Sequence, residues 1–75
     1  MLDRRLPPDL RQDYNLSYGV GEDFHIISLE VWRRDGGRIA SYHVLNENGH
    51  FSPVLLEAAV VGAIADCRAH QKGES

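Results

Sequence analysis

The amino-acid sequence predicts an α+β domain: a three-stranded antiparallel β-meander followed by one C-terminal α-helix packed on one face, in the order β-β-β-α. Three observations carry this. From Tyr14 onward, apolar residues alternate with small or polar ones, the period of a half-buried strand. Asp35-Gly36-Gly37 is the strongest turn signal in the chain and separates two β-branched, aromatic-rich runs. Ser52-Pro53 then opens a run with helical spacing of its apolar residues, serine as N-cap and proline at the first helical position.

The elements follow in order. Residues 1–13 are charged and carry Pro7-Pro8, which predicts an extended or loosely ordered arm with at most a short helical turn at Pro8–Gln12. The remainder, residues 14–75, reads as a single domain. Tyr14, Leu16, Tyr18 and Val20 mark the first strand, and Gly21-Glu22 suits a two-residue type II′ turn. The second strand runs from Phe24 to Arg33 and the third from Arg38 to about Asn46. Asn46-Glu47-Asn48-Gly49 is a polar turn. The helix continues to about Gln71, with Arg68, His70 and Lys72 suited to the C-terminal dipole and Gly73 as its stop.

Two-residue turns fix a register. The first sets Tyr18 opposite His25, Leu16 opposite Ile27 and Tyr14 opposite Leu29. An Asp35-Gly36 turn sets Val31 opposite Ala40, Leu29 opposite Tyr42 and Ile27 opposite Val44; a Gly36-Gly37 turn keeps the faces and shifts the pairs. One face then holds Tyr14, Leu16, Tyr18, Ile27, Leu29, Val31, Ala40, Tyr42 and Val44, and is the expected core. The other carries Phe24, Ile26, Ser28, Glu30, Trp32, Ile39, Ser41, His43 and Leu45, more apolar than a solvated face requires. The helix has two apolar stripes instead of one: Val54, Ala58, Val61, Ala65 and Ala69, and Leu56, Val60, Ile64 and Cys67. Small residues at Ala58, Gly62, Ala65 and Ala69 suit close approach of another backbone.

Composition bounds the function. Seventy-five residues, 43% hydrophobic and 25% charged with a net charge of −3, make one small domain and argue against intrinsic disorder. The lone Cys67 excludes an internal disulfide framework, and the Cys and His spacing matches no zinc finger. No apolar leader follows Met1, and Pro53 to Ala65 is too short to span a bilayer and carries Glu57. With one free cysteine, these features predict a cytoplasmic protein without a membrane span.

The chemistry-bearing residues read as surface or core groups. His25 and His43 fall on opposite faces and do not complete a zinc site, so neither metal nor cofactor is expected. Ser28, Glu30 and His43 share a flat face that offers no cleft for a hydrolase triad, and no catalytic residue is assigned. Cys67 in an apolar stripe reads as an inert thiol. Arg33, Arg34 and Arg38 beside Trp32 form a candidate anion-binding cluster at a hairpin tip.

The expected function is therefore a small non-enzymatic interaction module, a homodimer or an accessory, inhibitor or adaptor subunit. Its expected interface is Phe24, Ile26, Trp32, Ile39, His43 and Leu45 on the sheet, with Ala58, Gly62, Ala65 and Ala69 on the helix. The alternative is a nucleic-acid binder using Trp32, Arg33, Arg34, Arg38 and His43. Three strands followed by a helix resemble, in order only, the sheet-type DNA-binding domains of some integrases and plant regulators. Such domains imply a basic sheet, whereas this one carries Glu30 in a chain with a pI near 5.7, which argues against nucleic acid as a partner.

Overall fold

Alternating apolar residues from Tyr14 produce β1 (Tyr14–Val20), which leads into β2 (Ile26–Arg33) and β3 (Arg38–His43) in a computed structural model describing residues 2–74. Met1 and Ser75, the outermost residues of the expected arm and domain, lie outside the described residues. The strands form one antiparallel sheet in the order β1-β2-β3. A short helix α1 (Pro8–Arg11) precedes them and the long helix α2 (Pro53–Glu74) follows. This is the expected β-β-β-α order, α+β in class. Ser52 caps α2: its Oγ accepts from the Leu55 amide at 3.2 Å. Gly73 does not stop the helix, which continues through Glu74.

The second hairpin pairs as expected, with Leu29 opposite Tyr42 and Val31 opposite Ala40. Nearer the tip the register slips by one, so Arg38 faces Trp32 and Ile39 is the extra residue of a β-bulge. The tip itself is Arg34-Asp35-Gly36, closed by the Arg33 amide donating to the Gly37 carbonyl at 2.7 Å, with Gly36 at φ +115°.

The first hairpin differs. Tyr14 faces Arg33, Leu16 faces Val31 and Tyr18 faces Leu29, four residues from the expected pairing. A type II′ turn needs positive φ at its first central residue, but Gly21 has φ −95°. The positive angles fall instead on Asp23 (58°) and Phe24 (60°), inside a 3-10 turn at Glu22–Phe24. Phe24 and His25 therefore belong to the turn, not to β2. A shift of four is even, so the same side chains still face the core.

The arm is not extended where it is described. Leu2–Arg5 forms a 3-10 turn and Pro8–Arg11 the helix α1; together they lay Leu6 and Leu10 into the core. They pack on β1, while α2 covers β2 and β3. Arg5 pairs with Glu57 and Arg68 with Asp9, tying the segment along α2. The Arg34 amide and Nε bind the carbonyls of Asp13 (2.9 Å) and Arg11 (2.8 Å), which ties it to the hairpin tip.

The core joins Leu6, Leu10, Tyr14, Leu16, Leu29, Val31 and Val44 to Leu56, Ala59, Val60, Ala63 and Cys67 of α2. Tyr18 and Ile27, expected within it, sit at its margin and remain partly exposed. Tyr14 is buried and shares a 2.9 Å hydrogen bond with His70 Nδ1, while Tyr42 donates to Asp66. Burial, reinforced by the neighbouring Asp66 carboxylate, pushes the Cys67 thiol up to about 11. Cys67 should therefore resist alkylation at neutral pH, and labelling should proceed at the rate of unfolding. Rapid stoichiometric labelling of the folded protein would contradict this burial.

Candidate interaction surface

Three rows cross the open face of the sheet: Asn15–Trp32–Arg38, Ser17–Glu30–Ser41 and Gly19–Ser28–His43. Trp32 is the one large apolar side chain in these rows. Glu30 is largely shielded and accepts from Trp32 Nε1 at 3.3 Å and Arg38 Nη1 at 3.1 Å. Hence the polar patch expected at the middle of this face is there, but the apolar surround expected around it is not. Phe24 has left it for the turn, Ile39 is bulged and packs against the core, and Leu45 lies beyond the end of β3. Asn15, Ser17 and Gly19 of β1 dilute what is left.

The arginines of the hairpin tip do not converge. Arg33 Nε pairs with Asp35 at 2.9 Å, Arg34 is bound to the Arg11 carbonyl, and Arg38 is held by Glu30. Arg33 opposes Tyr14 of the core face, whereas Arg38 lies with Trp32 on the open face, so no single anion faces all three. The same distribution separates Arg33 and Arg34 from Trp32, Arg38 and His43. Among the described residues, no three His, Cys, Asp or Glu side chains gather to hold a metal ion. No described helix is long and apolar enough to cross a membrane.

The surplus apolar surface is at the opposite end of the molecule, which measures 41 × 21 × 21 Å. There β1 turns into β2, and β3 leads into α2. Leu45 and Phe51 form an isolated antiparallel bridge around an Asn46–His50 loop, in which Asn46 Oδ1 accepts from the amides of Asn48 and His50. This brings Phe51 beside Leu45 and leaves a groove of about 370 Å³ lined by His25, Ile26, Leu45, Gly49, His50 and Phe51. Phe24 is 91% exposed beside it in sequence, and Val20, Ile27 and Phe51 also reach solvent. Leu45 continues into a second shallow groove that ends on Val54, itself 78% exposed.

From Val54 the outward stripe of α2 runs through Ala58, Val61 (69% exposed), Ala65 and Ala69. Gly62 is not part of it. A Cβ there would lie 3.0 Å from the Tyr42 ring, so this glycine serves close packing of α2 on β3. Of the expected interface, Phe24, Ile26 and Leu45 are thus brought together at one end, and Ala58, Ala65 and Ala69 on the adjoining stripe. Trp32, Ile39 and Gly62 are placed elsewhere, while His43 lies on the open face opposite Ser28, two residues before Leu45. Phe51 belongs with the first group and was not singled out from sequence; Val54 and Val61 were legible as members of one of the two apolar stripes, without its outward direction. Compared with protein-family models, curated proteins and solved structures, the chain matches none.

Proposed function

We propose that this chain is a small non-enzymatic protein–protein interaction module that acts as a homodimer, joined through its apolar end and the adjoining stripe of α2. The observation that supports this reading is the concentration of exposed large apolar side chains. Tyr18, Val20, Phe24, Ile27, Phe51 and Val54 all belong to the end where the β1–β2 turn and the start of α2 meet, and Val61 lies two turns along the helix. A concentration of exposed apolar side chains at one end is a recognised mark of an interface. A second copy is its simplest cover, because one patch buries its own image and the assembly closes. The non-enzymatic part is supported by two groups: Glu30 is held by Trp32 and Arg38, and Cys67 is buried as a thiol.

Sedimentation equilibrium at tens of micromolar should give twice the 8.4 kDa chain mass. Val61→Lys should weaken the dimer about tenfold or more without changing the circular dichroism spectrum, whereas Trp32→Glu should leave association unchanged. A wild-type monomer at that concentration would overturn the homodimer.

A further inference from the structure

Resting on the homodimer reading, we propose that Phe24 of one copy seats in the groove between Ile26, Leu45 and Phe51 of the second copy, and reciprocally. Four observations converge on this pairing. Phe24 is the most exposed of the large apolar side chains, and its backbone is left-handed, as is that of Asp23 before it. Bulky residues rarely adopt that conformation, and it persists only where the surrounding structure holds it. The turn therefore presents the phenyl group outward, and Phe24 does not line the groove two residues away in its own chain.

The groove, at about 370 Å³, falls at the lower end of the roughly 300–1,000 Å³ of clefts that hold small ligands, which leaves room for one phenyl ring. Anchor and groove also lie side by side on one end of the molecule, joined through Ile26, which is the arrangement a twofold axis requires for reciprocal exchange. Finally, the rims are complementary. Glu22 and Asp23 precede the anchor, while His50, together with the His25 that follows the anchor, lines the groove, and these offer imidazole N–H donors to those carboxylates. Aromatic anchors in central pockets are the groups that most often dominate association.

The test uses the full chain in three forms: wild type, Phe24→Ser, and a chain with p-benzoylphenylalanine at position 24. Because Phe24 is 91% exposed, the serine variant should fold with an unchanged melting temperature at dilutions where wild type is monomeric. Its dimer dissociation constant should rise about thirtyfold, and Phe24→Tyr should retain most of the affinity. Irradiation of a mixture of isotopically light and heavy chains should give crosslinks between copies, mapping to residues 45–51. A wild-type dimer that Phe24→Ser leaves intact, or crosslinks confined to residues 58–69, would overturn the anchor while leaving the homodimer standing. A wild-type monomer would overturn both.

Discussion

Leu29→Ala should destabilise the protein by about 2–5 kcal/mol, as large-to-small changes in a sealed core do. Leu29 is at 0% exposure in the central strand, between Tyr18 and Tyr42. Truncation removes apolar contacts and leaves a void that flanking strands cannot collapse into without breaking ladder bonds on both sides. A domain of this size has a total stability of about 5 kcal/mol, so the variant should be largely unfolded at 37 °C. Urea denaturation followed by circular dichroism reads this directly. A change below about 0.5 kcal/mol would mean that the two faces of β2 had been exchanged.

Leu10→Ala should cost nearly as much, about 2–4 kcal/mol. This expectation separates a packed N-terminal segment from a loose arm, for which the same change would be close to neutral. Leu10 is at 0% exposure, and α1 is only four residues long, far too short to persist without the surface it covers. The loss should therefore spread: Leu6 and the Asp9–Arg68 contact depend on the same docking. Denaturation midpoints of Leu10→Ala and of Asp9→Asn would show whether burial or the exposed ion pair holds the segment. The ion pair should contribute little, because water screens it.

The core face was legible because side-chain alternation has a period of two. Even a four-residue error in the first register returned Tyr14, Leu16, Leu29 and Val31 to the correct side. Bulges are what alternation cannot see. Ile39 came to pack against the core through one inserted residue, and Phe24 left the sheet because the turn needed five residues where Gly21-Glu22 suggested two. The N-terminal segment did carry a signal, since Leu2, Leu6 and Leu10 recur every fourth residue, but Pro7-Pro8 reads locally as an interruption. Proline at a helix start is compatible with both readings. Gly62 looked like a contact for a second backbone because small residues look alike on a helical wheel; the Tyr42 ring that it accommodates is twenty residues away in sequence. Phe51 gained its place only through the Leu45 bridge, a non-local pairing between two residues outside the three strands.

The union of residues 2–14 with α2 also governs how the molecule assembles in time. Arg5 meets Glu57, Asp9 meets Arg68 and Tyr14 meets His70, so these contacts close loops of more than fifty residues. The hairpins and the N-terminal segment on β1 can form early from near neighbours, but the core face of β2 and β3 stays open until α2 arrives. During synthesis the meander should wait, with Leu29, Val31 and Val44 exposed, until most of the helix has left the ribosome. Chains halted before His70 should consequently be protease-sensitive along their whole length, and native-like protection should appear in a single late step.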